Sequence, residues 1–380
     1  MKSSSGQISA PLPLPDARPR LEHLATIRWG LLAAALALTV IGLATVHSAS
    51  AELGTDYFSR QLVWVGVGLV AMAVAFSFNY HTLLGFSLPL YVLSLVALAL
   101  VLVLGYEAGG AQGWFRLGSI GVQPSEFAKL ITALYLARYL AAPSTRQLPL
   151  RQIFTAVGLV ALPMLLIVFE PDLGGAAMFV PMAAGMLLVS GVRLRVLFTT
   201  LAACAVAGLL IWSLGMKPYQ RQRVLTFLAP DTDPLGAGYQ VRQSKIAVGS
   251  GELAGRGYGQ GTQSQLRFLP ARHTDFILSV LAEEWGFVGV GTVLLLYAAY
   301  LANVAAVAMR AQDRAGILLV VGLGSTFAFH VLYNSAMVIG LVPVTGIPLP
   351  FLSYGGSFTL LNFIGLGLIL GVDYRRFANR

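Results

Sequence analysis

Two long stretches of this chain contain no Asp, Glu, Lys or Arg. One lies between Arg60 and Glu107, and the other lies between Arg314 and Asp373. A helix needs about 20 mostly apolar residues to cross the hydrocarbon core of a bilayer, so each stretch has room for two crossings. The whole chain is 57% hydrophobic and 11% charged, whereas soluble domains carry about 25% charged residues. The sequence therefore predicts a polytopic membrane protein.

The hydropathy pattern predicts an all-α fold with ten transmembrane helices. The second uncharged stretch is divided by "LVPVTGIPLPFLSYGGS" (341–357), whose prolines and glycines interrupt a helix. This segment is predicted to be re-entrant or tightly turned at the outer face, with an ordinary interhelical turn as the alternative. The ten expected spans are 28–48, 61–79, 83–104, 122–141, 152–169, 174–191, 195–215, 276–306, 316–340 and 352–372.

The distribution of basic residues predicts that both termini are cytoplasmic. With that orientation, fourteen of the 25 Lys and Arg residues fall in inner segments and three at outer span edges, in agreement with the positive-inside rule. The remaining eight lie in one large extracytoplasmic loop, 217–275, between the seventh and eighth spans. Residues 1–27 are expected to form a disordered cytoplasmic tail, and 28–380 the membrane domain.

Composition excludes several other classes of function. The single cysteine, Cys204, rules out a disulfide framework. The basic residues are scattered between apolar segments, so the net charge of +9 is not a nucleic-acid signature. The 217–275 loop holds eight basic residues against four acidic ones. Such a loop suits an anionic, lipid-linked ligand such as a phosphate or diphosphate, although an inert solvated loop is an equal alternative.

Four ionisable residues are predicted to meet near the outer face of the membrane. Glu126 and Lys129 are three residues apart on one helix and can pair. Asp172 lies in the turn between the fifth and sixth spans, and Asp275 lies where the long loop enters the eighth. Several charges at one depth are typical of a functional site. A buried structural network is the alternative.

Three carboxylates near the eighth span raise separate questions. Asp275 is either a helix cap or a general base, and one nearby histidine, His273, is too little to predict a metal. Glu283 and Glu284 lie about 12–13 Å deeper if the helix is continuous, and should face the protein interior as protonated acids or as partners of a base. The glycine-rich "GSGELAGRGYGQG" (249–261) has no βαβ context, so a flexible or tightly turned loop is expected.

Several motifs together resemble the SEDS family of bacterial membrane proteins (shape, elongation, division, sporulation). They are "GAQGWFRLGSIGVQPSEFAKL" (110–130), "EPDLGGA" (170–176), "FLPARHTDFI" followed by "SVLAEE" (268–284) and "PVTGIPLPFLSYGGS" (343–357). The last two are similar to elongation members rather than division members. Gly113 stands where the family often has arginine.

The resemblance implies a peptidoglycan glycosyltransferase that polymerises lipid II on the outer face of the cytoplasmic membrane and releases undecaprenyl diphosphate. It assigns Asp275 as the general base, with Lys129, Glu126 and Asp172 beside it. The substrate-binding residues implied are Arg116, Arg221, Arg223, His273, Ser353 and Gly355. A divalent cation, magnesium or manganese, is left open as a helper, and a class B penicillin-binding protein is the implied partner.

Two other functions compete with this one. A lipid II flippase would also use intramembrane charges as relays, but no inverted repeat is evident in the sequence. A non-catalytic scaffold of the cell-wall machinery would tolerate charge-neutral replacement of Asp275 and Lys129. Product analysis separates these alternatives, because only a polymerase makes glycan strands without a second compartment.

Overall fold

The computed structural model describes residues 27–51, 56–108, 111–118, 120–142, 148–196, 198–199, 202 and 236–376. Within these residues the fold is predominantly helical. The helices are α1 (Trp29–Ser50), α2 (Tyr57–Ser77), α3 (Tyr80–Gly85), α4 (Ser87–Leu104), α5 (Pro124–Ala141), α6 (Leu150–Phe169), α7 (Leu173–Ala177), α8 (Phe179–Val189), α9 (Ala237–Ser250), α10 (Thr262–Gln265), α11 (Ile277–Arg310), α12 (Arg314–Val338) and α13 (Gly356–Arg375).

Seven of the described helices are long and apolar enough to cross a membrane: α1, α2, α4, α6, α11, α12 and α13. Helix α5 occupies the predicted fourth span but carries Glu126, Lys129 and Arg138. The short helices α7 and α8 occupy the predicted sixth span. The predicted seventh span and the tail lie largely outside the described residues, as do Cys204, Arg221 and Arg223. The count of ten therefore stays a prediction.

The all-α prediction is wrong between α4 and α5, where the chain forms a three-stranded antiparallel sheet. The strands are β1 (Tyr106–Ala108), β2 (Ala111–Leu117) and β3 (Ile120–Val122), in the order β1-β2-β3. Tyr106 pairs with Trp114, and Arg116 pairs with Gly121. Gly118 makes the second turn with a φ of 64°. The strands have three, seven and three residues, and Gly113 and Gly121 lie within two of them. The alternation of side chains that indicates a strand is therefore weak.

Helix α11 is broken at Gly286, which has a φ of 64° and a ψ of −160°. The glycine-rich loop is tightly turned and fills the break. The amides of Arg256 and Gly257 donate to the carbonyls of Glu283 and Glu284 at 2.9 and 3.0 Å. In return, the amides that follow the break donate to the loop: Phe287 to Glu252 O at 2.9 Å and Val288 to Leu253 O at 3.1 Å. The loop amides thus complete a broken helix and do not form a phosphate cradle.

The two glutamates before the break are buried in protein. Glu283 accepts from the amides of Gln263 and Ser264, at 2.8 and 3.1 Å, at the start of α10. Glu284 accepts a hydrogen bond from Ser48 of α1. They face the interior, as expected for acids in an apolar chain. The helix that leads to them runs without interruption from Ile277, and the break at Gly286 comes only after both glutamates.

The proline-rich segment 341–355 between α12 and α13 is not helical, and its core is buried. Three of its carbonyls belong to prolines and are bonded by side chains of the neighbouring helices. The bonds run from Tyr333 OH to Pro343 O (3.0 Å), from His330 Nδ1 to Pro348 O (3.0 Å) and from Tyr297 OH to Pro350 O (2.7 Å). Irregular backbone is tolerated at membrane depth only when protein satisfies it. The segment meets that requirement.

Replacing Gly286 by alanine should destabilise the protein. A Cβ at this position would lie 2.3 Å from Gly255 N and 2.6 Å from Leu253 O, and alanine disfavours the positive φ. We expect a loss of roughly 1–3 kcal/mol, measured as a lower Tm in detergent. Gly291→Ala is the matched control, because a Cβ there meets nothing within 4 Å. Equal Tm values for the two variants would contradict this account of the helix break.

Candidate functional site

A cavity of about 1080 Å³ opens between the helices and is lined by both charged and apolar groups. Its wall includes Glu126, Lys129, Asp172 and Asp275, the four ionisable residues that the sequence placed near one another. Ligand pockets of drug-sized molecules have volumes of about 300–1,000 Å³, so this cavity can hold a large ligand. The catalytic roles of the four residues stay predictions, but their convergence on one cavity is what a shared site requires.

Helix α5 places a buried ion pair in the wall. Pro124 stands in its first turn, where a missing N–H costs nothing. Glu126 Oε1 and Lys129 Nζ, one turn apart, are 2.7 Å from each other. Lys129 is only 7% exposed. Because desolvation of two charges offsets much of their attraction, a buried pair of this kind is weak evidence for stability, and its place in the cavity wall favours a functional role.

Asp172 is held in the wall as the N-cap of the short helix α7. Its Oδ1 accepts from Gly175 N at 2.7 Å, and its Oδ2 accepts from Gln123 Nε2 at 3.3 Å. Gln123 immediately precedes α5 and also lines the cavity. The carboxylate therefore ties α7 to the start of α5, and this fixes its position relative to the Lys129–Glu126 pair.

Glu170, two residues before Asp172, differs from it in burial and in hydrogen bonding. It is fully buried and neither of its carboxyl oxygens has a hydrogen-bond partner. Burial, with a smaller contribution from Asp172, raises its pKa to about 8. The residue of β2 that faces it is Gly113, where a Cβ would lie 3.0 Å from Glu170 Oε2. Glycine offers no positive charge, so the Glu170 side chain is a neutral acid at pH 7.

Asp275 lines the cavity just before α11 begins at Ile277. The N-cap of this helix is Phe276, so Asp275 lies one residue before the cap position. Its Oδ2 lies 3.7 Å from where a Cβ of Gly346 would stand. Gly346 has a φ of 74° and belongs to the proline-rich segment, which therefore approaches Asp275 through a residue without a side chain.

His273 supports the wall of the cavity through its ring. It stacks on Tyr57 with ring centroids 4.3 Å apart and meets Tyr354 edge-on at 5.7 Å. Burial, with a smaller contribution from Arg272, lowers the pKa of His273, so its ring is neutral at pH 7. Among the described residues, no three His, Cys, Asp or Glu side chains are grouped to hold a metal ion.

The other predicted substrate-binding residues have different positions. Gly355 lines the cavity. Ser353 is 1% exposed and bonds backbone groups on both sides, so its position is structural. Arg116 is exposed on β2, with its guanidinium 5.1 Å from the ring centroid of Tyr106, which lines the cavity. Arg116 therefore contacts a residue of the wall but is not part of the wall itself. Arg221 and Arg223 lie outside the described residues.

Sequence reasoning missed several polar residues of the cavity wall: Arg60, Gln123, Gln240, Thr274, His330 and Tyr354. Arg60 had one usable signal, since it is a lone basic residue at the outer end of an uncharged stretch. His330 had a similar one as a histidine within a predicted span. The glutamines had none, because nothing in their local pattern distinguishes a cavity from a helix contact.

Comparison with known proteins places these residues in a wider group. Residues 28–377 match the family model for FtsW, RodA and SpoVE, described as "Cell cycle protein". The chain is 38% identical to peptidoglycan glycosyltransferase MrdB of Escherichia coli (strain K12) over 345 residues, covering 90% of this chain and 92% of that protein.

Solved structures also resemble it. The crystal structure of rod shape determining protein RodA from Thermus thermophilus superimposes with a TM-score of 0.70 at 32% identity, covering 92% of this chain and 98% of that one. A second solved chain comes from "Structural coordination of polymerization and crosslinking by a peptidoglycan synthase complex". It superimposes with a TM-score of 0.80 at 35% identity, covering 92% of this chain and 98% of that one.

Glu170 should make stability depend on pH. Its pKa of about 8 in the folded protein exceeds the ordinary value of 4.5, so the folded state binds a proton more tightly than the unfolded state. The stabilisation is complete below pH 4.5 and is lost as pH rises through 8. We expect Tm in detergent to fall between pH 5 and 8.5, and to fall less in Glu170→Gln. The exposed Glu252 provides the control Glu252→Gln. Parallel Tm profiles for the protein and Glu170→Gln would contradict a neutral Glu170.

Proposed function

The chain belongs to the FtsW/RodA/SpoVE family, the SEDS proteins, and on that premise we propose that it is a peptidoglycan glycosyltransferase. It polymerises lipid II into glycan strands for cell elongation and rod shape. The observation that carries this proposal is the cavity of about 1080 Å³ whose wall includes Asp275, Lys129, Glu126 and Asp172, within the part of the chain that matches the family.

The reaction fits the chemistry of the cavity wall. The 4-hydroxyl oxygen of the acceptor sugar attacks the anomeric carbon of the donor, and the bond from that carbon to the diphosphate oxygen breaks. Asp275 takes the hydroxyl proton as general base. The electron pair of the broken bond leaves with undecaprenyl diphosphate. An α-linked donor yields a β-linked product by one inverting displacement, so no covalent sugar intermediate is needed.

Cations in the wall stabilise the charge that develops on the leaving diphosphate. Lys129 is one, and its pairing with Glu126 at 2.7 Å holds its ammonium at a fixed position. Arg60, which also lines the cavity, is the second, and a guanidinium can contact two phosphate oxygens at once. A diphosphate is already a good leaving group, so stabilising its charge matters more than protonating it.

The lipid part of the substrate needs an apolar approach. Val63, Trp64 and Val67 of α2 form an apolar part of the wall, and Val63 and Val67 are 65% and 45% exposed. Because α2 is long and apolar enough to span a membrane, a prenyl chain in the bilayer can lie against this face while its sugar enters the cavity. This supports a location in the bacterial cytoplasmic membrane. The orientation that we propose, with both termini inside and the cavity facing outward, follows from the positive-inside rule.

Cross-linking of the strands requires another protein. The sequence has no S-x-x-K transpeptidase motif. One structural relative comes from work on a peptidoglycan synthase complex that couples polymerization and crosslinking. By analogy, we propose a class B penicillin-binding protein as the partner of this chain.

Purified Asp275→Asn should fold but make no glycan from lipid II in detergent, because an amide cannot accept the hydroxyl proton. The matched control is Asp56→Asn, since Asp56 caps α2 at an exposed position outside the cavity and asparagine caps equally well. Glycan strands are measured by gel electrophoresis of labelled product. Wild-type rates from Asp275→Asn would refute the assignment, and a wild-type protein that makes no strands would favour a flippase or scaffold.

Lys129→Ala should lower turnover more than it lowers assembly. Removing the ammonium takes away charge stabilisation of the leaving group, worth roughly 10²–10³ in kcat for one such donor in other enzymes. Turnover is measured per unit of folded, monodisperse protein. Glu126→Gln serves as a companion, because it keeps the lysine but removes its ion partner. A Lys129→Ala protein that fails to insert while Glu126→Gln behaves normally would support a structural role for the lysine.

A further inference from the structure

Three consecutive backbone carbonyls, those of His273, Thr274 and Asp275, each accept a hydrogen bond from the same side of the cavity. Tyr354 N donates to His273 O at 2.9 Å. Ser353 Oγ donates to Thr274 O at 2.6 Å. Asn334 Nδ2 donates to Asp275 O at 2.8 Å. Residues 273–275, which lead into α11, are therefore each hydrogen-bonded to α12 or to the proline-rich segment.

Asn334 makes the link at Asp275 itself. It is fully buried on α12, and its Nδ2 also donates to Ile347 O at 2.7 Å. Both hydrogens of the amide are thus used on carbonyls, which fixes the amide orientation, since a carbonyl can only accept. The side chain of Asn334 therefore links the backbone of Asp275 to the backbone of Ile347, the neighbour of Gly346.

Ser353 makes the second link with a hydroxyl used in both directions. Its Oγ accepts from Leu349 N at 2.8 Å while it donates to Thr274 O. The residue is 1% exposed, so water cannot replace either bond. Loss of this hydroxyl would leave two buried backbone groups, Leu349 N and Thr274 O, without these partners, which is unfavourable.

We propose that Asn334 and Ser353 are positioning residues that hold the carboxylate of Asp275 at a fixed place in the cavity wall. The inference rests on the proposed function, in which Asp275 is the general base. Neither side chain lines the cavity, so they act through the backbone of 274–275 and not on the substrate. A displacement of about 1 Å at a reacting group can cost 10²-fold in rate. Three hydrogen bonds that fix the backbone of residues 273–275 can therefore affect the rate strongly.

The kinetic test uses Asn334→Asp and Ser353→Ala. Asn334→Asp keeps the shape of the side chain but replaces the NH₂ group, which donates to two carbonyls, by a carboxylate oxygen, which cannot donate. We expect each to lower kcat at least tenfold while KM for lipid II stays within twofold, because binding groups elsewhere in the cavity are unchanged. Ser353→Thr keeps a hydroxyl and should recover most of the rate. A proportional rise in KM with unchanged kcat, or no rescue by threonine, would overturn the proposal.

The control separates positioning from general loss of stability. Ser244 is fully buried, and its hydroxyl bonds Val338 O at 2.6 Å and Ser279 Oγ at 2.8 Å, outside the cavity wall. Ser244→Ala should lower Tm about as much as Ser353→Ala but leave kcat unchanged. Equal losses of kcat in the two variants would show that stability alone accounts for the effect.

A second readout does not depend on catalysis. In a chain with Cys204→Ser and Asp275→Cys, the cysteine at 275 reports its own accessibility to a small water-soluble methanethiosulfonate. We expect Ser353→Ala or Asn334→Asp to change the labelling rate at least threefold, and an unchanged rate would overturn the proposal. If the wild-type protein makes no glycan, or Asp275→Asn stays active, the proposed function fails, whereas the labelling experiment still decides whether position 275 is held by these residues.

Discussion

Backbone polar groups at membrane depth have no water to bond with, and this constraint explains how the chain builds a polar cavity among apolar helices. Segment 341–355 leaves the helical pattern, so its carbonyls need donors from elsewhere. Tyr297, His330 and Tyr333 of α11 and α12 supply them. The segment is thereby fixed in place without a helix, and its exposed edge is free to form part of the cavity wall.

The same rule applies to many charged side chains of the described residues, which either cap helix ends or face the cavity, and Asp172 does both. One group caps helix ends: Arg375 Nη2 donates to the carbonyls of Phe76 and Ser77 at 2.9 and 2.8 Å, and Asp313 caps α12. The attraction of cations to helix C-termini accounts for the first contact. The other group, which includes Lys129 and Asp275, faces the cavity. The fold accounts for charges of the first group, and the proposed ligand would account for those of the second.

The sequence predicted the helical positions and the cluster of acids well, because both depend on simple costs: apolar length for a span, and burial for a charge. It did not predict the sheet 106–122, whose glycines hide strand alternation, or the break at Gly286, which depends on a loop more than 25 residues earlier in the chain. Arg60 was missed for a related reason. Its place in the cavity is set by helix packing, and a single sequence does not encode which face of α2 meets the other helices.

The contrast between Glu170 and Asp172 follows from the charge of the proposed substrate. A diphosphate brings negative charge into a cavity whose wall already holds Glu126, Asp172 and Asp275. Lys129 neutralises the first of these acids through direct contact. A further ionised carboxylate at 170 would add repulsion where water screens it poorly, and burial keeps that acid neutral instead. Gly113, which faces Glu170, is consistent with a neutral acid, because a neutral carboxyl group needs no cation opposite it. The sheet 106–122 can therefore pack against Glu170 and line the cavity, while Arg60 and Lys129 serve the proposed diphosphate.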